Sequence, residues 1–346
     1  MTTSQDWPAE DLEFVPACPV CASASRSLLY GDLTDRVFAV APGKWTIYRC
    51  STCQSAWLDP RPDPGSIGRA YESYYTHLAE DDVAAQPTNI LVRQLHALQN
   101  DYKNARYGLA RHPATFGGRW LVRLLPSLRA KADAQCRHLP RPPTDGARLL
   151  DVGFGNGGFL KIASEMGWNA EGIDFDPKAV EVARARGLNV SCASAAELSI
   201  RNERFDVITL SHVIEHVHDP IALLRDLYRL LKPGGCLWLD TPNLCSYGAK
   251  RFGPDWRDLD PPRHLVLFNP ASLRNSLTNA GFKRIEQRWH GMALFSIYAE
   301  SDAIARGQCA QDGIRKVVPS LAAIVDELRE MLQPNQREFL TFIAYK

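Results

Sequence analysis

Several features are scarce or absent in the sequence, and each absence excludes a class of protein. No run of about 18 consecutive apolar residues occurs in its 346 residues, so no segment reads as a membrane-spanning helix. The N-terminus, MTTSQDWPAEDLEF, is acidic and polar, unlike a secretory signal, and we expect a cytoplasmic protein. The formal net charge is only +1, which gives the chain as a whole no general attraction for nucleic acid. With 45% hydrophobic residues, the chain can bury a large core.

The cysteines do not form the even set that a disulfide framework requires. Nine are present, and four lie in two C-x-x-C pairs, Cys18, Cys21, Cys50 and Cys53. Two intervening residues let both thiolates of a pair face one ion, so the two pairs can complete a tetrahedral shell around Zn²⁺. A complete shell has no position left for water or substrate, so we predict a structural zinc in a module spanning residues 1–65. Buried free cysteines and a redox pair are the alternatives.

Residues 66–145 are predicted to form a helical lid or linker. Three stretches have helical spacing: SIGRAYESYYTHL, NILVRQLHALQNDYKNARYGLARH and, interrupted at Pro126, RWLVRLLPSLRAKADAQ. From Lys103 to Arg148 there are ten basic residues against Asp133 and Asp145. This excess is interpreted either as a solvated face or as a surface for a phosphorylated or acidic substrate or an anionic membrane.

A glycine-rich turn in RLLDVGFGNGGFLKIASEMG follows an apolar strand and precedes an amphipathic helix. Glycine removes side chains and permits unusual backbone conformations, so a cofactor can approach the main chain at the helix N-terminus. Gly153, Gly155 and Gly158 satisfy the dinucleotide pattern G-x-G-x-x-G, and Asp174 follows at the distance of a ribose-binding carboxylate. Asp151 argues against a dinucleotide, because a carboxylate there would repel a pyrophosphate and attract a cationic amine.

The resulting pattern D-x-G-x-G-x-G resembles motif I of class I S-adenosylmethionine-dependent methyltransferases. Further stretches resemble this family in the expected order: GIDFDP, SCASAAEL, FDVITLSHVIEHVHDP, LLKPGGCLWLDTPN, NAGFKRIEQRWHG and REFLTFIAYK. The resemblance covers residues 148–346. It implies an α/β fold with a Rossmann-like seven-stranded sheet in the order 3-2-1-4-5-7-6, the last strand antiparallel, in a domain spanning 146–346 with a helical insert at about 291–335.

The same resemblance implies which residues bind S-adenosylmethionine. The predicted set is Asp151, Gly153, Gly155 and Gly157 around the methionine portion, Asp174 on the ribose, Phe175 beside the adenine, Ser194 and Ala195 at the adenine edge, and Ser211 and His212 near the sulfur. Asp176 precedes Pro177 and is expected to be solvated or to begin a helix.

The stretch LSHVIEHVHDP contains H-x-x-E-H, a pattern of one class of zinc metalloproteases. Because it follows the apolar strand FDVITL, we expect it to line the ligand crevice of an α/β sheet and not to form a protease helix. His216 is the leading candidate for the base that removes the acceptor proton, Glu215 is expected to orient it or bind the acceptor, and His264 is the second candidate. A purely structural role for each is the alternative. Trp256 and Arg263 are expected to contact a sugar ring or a phosphate.

The acceptor is suggested by a further resemblance. The cysteine module, the PRP turn, the following YESYY and the later RHL resemble bacterial methyltransferases of sugar, polysaccharide and secondary-metabolite pathways. This implies O-methylation of a sugar, glycolipid or polysaccharide precursor, phosphorylated or nucleotide-linked in some cases. C-methylation of a nucleotide-linked keto sugar, an RNA-modifying enzyme and a binding subunit without activity are the alternatives, and the insert could form a homodimer contact.

Overall fold

The computed structural model describes residues 6–71, 90–202, 204–310 and 319–346. The strands are β1 Leu12–Glu13, β2 Arg26–Leu33, β3 Trp45–Cys50, β4 Ala56–Leu58, β5 Arg61–Pro62, β6 Arg148–Val152, β7 Asn169–Asp174, β8 Val190–Cys192, β9 Phe205–Ser211, β10 Leu231–Asp240, β11 Val266–Leu267, β12 Arg284–Arg288 and β13 Thr341–Tyr345. The helices are α1 Ile90–Tyr107, α2 Gly118–Leu124, α3 Pro126–Gln135, α4 Gly158–Glu165, α5 Pro177–Ala185, α6 Ala195–Ile200, α7 Pro220–Leu230, α8 Tyr247–Phe252, α9 Pro270–Ala280, α10 Leu294–Ala305 and α11 Leu321–Leu332.

A seven-stranded sheet forms the centre of the fold, in the order β12-β13-β10-β9-β6-β7-β8. Strands β8, β7, β6, β9 and β10 are parallel, and β13 pairs antiparallel with both β10 and β12. Numbered along this domain, the order is 3-2-1-4-5-7-6, so the predicted Rossmann-like fold is confirmed. The central strands are rich in buried apolar residues because helices cover both faces of a parallel sheet.

The parallel strands place their C-terminal ends along one edge of the sheet, which is where ligands bind in this class of fold. Helices begin at this edge with local signals in the sequence. Asp176 caps α5 by accepting the Lys178 backbone N–H, directly before Pro177, as expected for Asp176. Ser194 caps α6.

The N-terminal residues form a second, four-stranded sheet in the order β11-β4-β3-β2. Its strand β11 comes from the segment after β10, and Val266 pairs with Trp57 in β4. The two sheets share one hydrophobic cluster, in which the buried Trp57 and Leu58 join residues such as Leu237. The cysteine module is therefore packed into the larger domain and does not stand apart from it.

The predicted helices before the central sheet lie at α1, α2 and α3, with the break at Pro126. In the stretch SIGRAYESYYTHL, only Ile67–Tyr71 is described, as a 3-10 helix, and the rest lies outside the described residues. The insert contributes α10 and α11. None of the described helices has the length and hydropathy needed to cross a membrane.

Candidate active site

The glycine turn between β6 and α4 has the shape that a close cofactor approach requires. Gly153, Gly155 and Gly157 all have positive φ, between 58° and 77°, a conformation that other residues adopt at a cost. A Cβ on Gly153 would lie 2.4 Å from a Val213 side-chain carbon, and one on Gly157 would lie 2.4 Å from Leu188. Side chains are therefore excluded from this turn by packing as well as by backbone conformation.

Asp151 lies beneath the turn, fully buried at the end of β6. Its Oδ1 accepts hydrogen bonds from the Arg137 guanidinium and, at 3.0 Å, from Thr209 Oγ1. Among the described residues, its Oδ2 has no hydrogen-bond partner. A buried carboxylate oxygen without a donor is costly, so this atom suits the amine of the methionine portion of the cofactor. Arg137 was not predicted from the sequence, because nothing local relates the end of α3 to Asp151.

Asp174 ends β7 beside the same turn. Its Oδ2 lies 3.4 Å from the Gly155 backbone nitrogen, which donates to it, and its Oδ1 accepts the Asp176 backbone N–H at 3.0 Å. Burial raises the pKa of Asp174 above its usual value. Phe175 follows with 67% of its surface exposed, although its ring meets that of Tyr71 with centroids 6.0 Å apart. Asp174 therefore contacts the glycine turn directly, and Phe175 beside it is exposed.

The predicted residues after β8 and β9 contribute less directly. The Ser194 hydroxyl is engaged in the capping box of α6 with Glu197, and Ala195 is buried in the core. Only their backbone or the outer side of the Ser194 hydroxyl is available to an adenine. Ser211 ends β9 and is partly buried, and His212 follows with φ 51°.

A cluster of two histidines and two carboxylates lies at the ends of β9, β10 and β12. His212 Nδ1 is 3.3 Å from Glu215 Oε1, and its Nε2 is 3.5 Å from Asp240 Oδ2. His290 Nδ1 donates to the same Asp240 oxygen at 2.9 Å. Thr341 donates to the other oxygen of Asp240 at 2.6 Å. The carboxylates are fully buried, whereas about a third of each imidazole side chain is exposed.

The charge state of this cluster follows from its geometry. Burial disfavours charge on His212, but the contacts to Asp240 and Glu215 outweigh it and raise the pKa of His212 well above 6.5. Burial would raise the pKa of both carboxylates, but His212 lowers that of Glu215 to about 2, and His290 together with His212 brings that of Asp240 below its usual range. At neutral pH the cluster therefore holds an imidazolium between two carboxylates.

Glu215, His216 and His264 form a second, adjoining cluster. One oxygen of Glu215 and one nitrogen of each histidine lie within 4.8 Å of one another, so these three could hold a cation together. Glu215 Oε2 accepts from Thr241 Oγ1 at 2.9 Å. His216 Nδ1 is 3.0 Å from the Arg263 carbonyl and from the Tyr71 hydroxyl. Because a carbonyl only accepts, Nδ1 carries the proton and the lone pair of His216 is on Nε2.

The two imidazoles of this cluster are neutral at pH 7. Burial lowers the pKa of His216, and burial together with the neighbouring His216 lowers that of His264 to about 4. The rings meet with centroids 4.7 Å apart. His264 was expected at the mouth of the site, but it is only 4% exposed and its Nδ1 donates to the Asp258 carbonyl at 2.6 Å. This hydrogen bond beneath the loop is the structural role that was the alternative for His264.

The metalloprotease pattern in LSHVIEHVHDP does not fold as a metalloprotease helix. Residues 214–216 form a single 3-10 turn directly after β9, and His212 pairs with Glu215 and Asp240 instead of sharing a ligand cluster with His216. The expectation for Trp256 and Arg263 is wrong. Trp256 is 2% exposed and Arg263 is 0% exposed, so neither side chain can meet a sugar or a phosphate.

The four predicted zinc ligands converge. Their sulfur atoms lie within 4.8 Å of one another, with Cys18–Cys53 at 3.6 Å and Cys21–Cys50 at 3.5 Å. Zn–S bonds of about 2.3 Å in a tetrahedron place sulfurs about 3.8 Å apart, whereas a disulfide requires about 2.05 Å. Each pair has the same turn, in which the first cysteine carbonyl accepts a backbone N–H four residues later. The cluster therefore has the dimensions of a Cys₄ zinc site.

Comparison with known proteins supports the methyltransferase class that the sequence motifs implied. A family model described as a methyltransferase domain matches residues 116–287. The ubiquinone biosynthesis O-methyltransferase of Xanthomonas oryzae pv. oryzae is 41% identical over 179 residues, which are 46% of this chain and 75% of that protein. The protein of the same name from Cereibacter sphaeroides is 36% identical over 165 residues, 44% of this chain and 67% of that one.

Among solved structures, a SAM-dependent methyltransferase from Archaeoglobus fulgidus matches 65% of this chain and 94% of its own at 20% identity, with a TM-score of 0.43. The Xanthomonas relative, 41% identical over 75% of its own length, shows the family. The chain belongs to the class I S-adenosylmethionine-dependent methyltransferases and is an enzyme of that family.

Proposed function

We propose that this enzyme methylates a hydroxyl group of a small molecule. The observation that carries the proposal is the neutral imidazole of His216, which stands with Glu215 and His264 at the ligand-binding edge of the sheet. A hydroxyl is a weak nucleophile at neutral pH, and a base that accepts its proton as the new bond forms accelerates transfer by ~10² to 10⁴. A carbon acceptor or an amine has different requirements for proton removal.

His216 is the proposed base, and its surroundings support this role. Its Nδ1–H is fixed by the Arg263 carbonyl, which orients the ring and leaves Nε2 to accept a proton. His212 is a poor candidate because it is already protonated between its two carboxylates. Glu215 and Asp240 provide two buried carboxylates at this edge of the sheet, which favour a cationic sulfonium nearby.

The proposed cofactor contacts are those of the glycine turn. Asp151 Oδ2 would accept from the methionine amine and Asp174 from the ribose hydroxyls, while Phe175 would lie against the adenine. S-adenosylmethionine supplies an electrophilic methyl group, so the protein must chiefly align the acceptor and receive its proton.

For the acceptor we propose a sugar, glycolipid or polysaccharide precursor first and a phenol second. The names of the relatives pair O-methyl transfer with ubiquinone biosynthesis, which supports a hydroxyl acceptor over a carbon acceptor. A UDP-sugar, a polyprenyl-linked sugar, a catechol and a nucleotide-linked keto sugar should each be incubated with enzyme and S-adenosylmethionine. A 14 Da gain with an O–CH₃ carbon in the NMR spectrum supports the proposal. A C–CH₃ product would show that the enzyme is a C-methyltransferase.

His216→Ala is expected to lower kcat with the accepted substrate by about 10² or more, because the proton would then leave to water. The dissociation constant of S-adenosylhomocysteine should be unchanged. Arg229→Ala, which truncates an exposed side chain on α7, is the control and should retain full turnover. If His216→Ala turns over normally while His290→Ala does not, the base is His290, whose imidazole contacts Asp240.

We further propose that the Cys₄ cluster binds a structural zinc ion in the module of residues 1–65. Four thiolates complete the tetrahedron, and no coordination position is left for a substrate. We also propose that residues 66–145 form a lid and that residues 146–346 form the methyltransferase domain. The shared sheet of β4 and β11 indicates that the zinc would stabilise the segment carrying His264 as well as the module itself.

A further inference from the structure

An exposed apolar surface lies on the first turns of α1 and on α2. Phe116, Trp120 and Leu124 are 82%, 52% and 77% exposed, and Ile90 and Leu95 on α1 are 69% and 44% exposed. Phe116 and Trp120 pack edge to face, with ring centroids 5.5 Å apart. Large side chains grouped in this way are unusual on a protein surface that meets only water.

The two helices bring these side chains onto one surface. The Thr115 backbone donates to the Ala97 carbonyl at 3.0 Å, and a Cβ on Gly118 would lie 2.3 Å from the Leu98 carbonyl oxygen. Direct backbone contact therefore places α2 beside the second and third turns of α1. Gly118 and Val122, one turn apart, are buried, so the remaining positions of α2 face outward.

The same surface is basic. Of the eight lysines and arginines from Ile90 to Lys131, three pair with carboxylates: Arg106 with Asp133, Arg111 with Glu165 and Arg119 with Asp101. Arg93, Arg123 and Arg129 are exposed, and Arg119 stacks on Trp120 at 5.4 Å. A surface that combines arginine, tryptophan and aliphatic residues is suited to the interface of a bilayer. There the aromatic rings and the apolar parts of the side chains enter the headgroup layer, and the guanidinium groups pair with anionic lipids.

We propose that α1 and α2 form a docking surface for an anionic lipid bilayer. A second copy of the chain would bring two basic surfaces together, and a nucleic acid would gain little from exposed leucines. An anionic bilayer satisfies both the charge and the apolar side chains.

The docking surface is joined to the active site by the chain itself. Helix α3 follows α2 directly, and Arg137 just after it pairs with Asp151 under the glycine turn. The next residue, His138, contacts the Trp289 carbonyl through Nε2 at 3.2 Å, and Trp289 precedes His290. Because these contacts connect the docking surface to the site, we infer that an acceptor carried by a lipid would be presented there. That last step rests on the proposed function, whereas bilayer docking does not.

The test is co-sedimentation of the full chain with phosphatidylglycerol–phosphatidylcholine vesicles and with pure phosphatidylcholine vesicles. We expect binding to the first only, weakening as salt rises. Trp120→Ser with Leu124→Ser should lower the bound fraction at least tenfold, and Arg93→Gln with Arg123→Gln should do so at low salt. Ile200→Ser, at a residue 82% exposed on α6, removes an apolar side chain elsewhere and should bind like the wild type.

Folding of each variant is checked by its thermal transition and by binding of S-adenosylhomocysteine, both of which should match the wild type. Three results would overturn the proposal: equal binding to both vesicle types, no effect of the Trp120 and Leu124 substitutions, or a dimer in solution that these substitutions dissociate. Salt-dependent retention of RNA in place of vesicles would also contradict it. None of these results depends on the identity of the acceptor, so they can overturn bilayer docking without contradicting the proposed O-methylation.

Discussion

Removal of zinc from the Cys₄ cluster is expected to unfold the N-terminal module and lower the melting temperature by more than about 10 °C. The strands of this module are short, and binding of a structural zinc contributes folding free energy that such a small core lacks. Cys50 is fully buried, so Cys50→Ser should reproduce the effect of a chelator. Loss of β4 would also release β11 and the segment before it, so methyl transfer should fall with stability.

The measurement is elemental analysis together with thermal unfolding. One zinc per chain is expected in the wild type and less than one in Cys50→Ser. Cys192→Ser is the matched control, since it removes an exposed thiol outside the cluster and should change neither zinc content nor melting temperature. Stable, fully folded protein without metal would show that the cluster consists of free cysteines.

Arg263→Met is expected to reduce the free energy of unfolding by about 3–5 kcal/mol, because it leaves two buried carboxylates without their cation. Arg263 Nη1 donates to Asp35 at 3.0 Å and to the Ala70 carbonyl at 3.1 Å, and its Nε donates to Asp260 at 3.1 Å. All three side chains are almost completely inaccessible. The cation therefore links the cysteine module to the segment before β11.

The pH dependence gives this prediction a second measurement. Burial would raise the pKa of Asp260, yet Arg263 lowers it to about 2. In the wild type, the stabilisation of the folded protein by this ion pair is therefore fully present above the pKa of Asp260 in the unfolded chain, and it disappears as the pH falls toward 2. In Arg263→Met, the Ala41 and Phe38 backbone N–H groups at Asp35 and the Arg257 charge near Asp260 remain, but the main cation is lost, so burial raises both carboxyl pKa values relative to the wild type. The deficit in the free energy of unfolding of Arg263→Met relative to the wild type, measured with urea, should then be larger at pH 7 than at pH 5. Adding Asp35→Asn and Asp260→Asn should recover part of it, whereas a deficit below about 1 kcal/mol would contradict the account.

The parallel part of the sheet could be predicted because its signals are local: apolar strands alternate with amphipathic helices, and a glycine turn lies at one junction. The strand order and the antiparallel last strand were implied only by the resemblance to class I methyltransferases. Asp151 was found from its place two residues before the first glycine of the motif, and Asp174 from its distance beyond that motif. Asp240 ends the parallel strand β10, and a search for carboxylates at the ends of parallel strands would have found it.

The rest of the site depends on contacts between distant parts of the chain. His290 meets Asp240 across 50 residues, and Arg137 meets Asp151 after a bend that the local sequence does not specify. Arg263 was interpreted as a ligand contact because a sequence shows charge but not burial. Its partner Asp35 lies 228 residues away, and only the folded chain brings them together.

We propose that the glycine turn and Asp174 bind S-adenosylmethionine, and titration calorimetry with S-adenosylhomocysteine measures this binding. The wild type is compared with the Asp174→Ala variant, and S-adenosylhomocysteine is compared with NAD⁺. We expect one site for S-adenosylhomocysteine, no heat from NAD⁺, and at least about tenfold weaker binding by Asp174→Ala, because a charged acceptor for the ribose hydroxyls is lost. Binding of NAD⁺ in place of S-adenosylhomocysteine, or equal affinity of Asp174→Ala and the wild type, would contradict it.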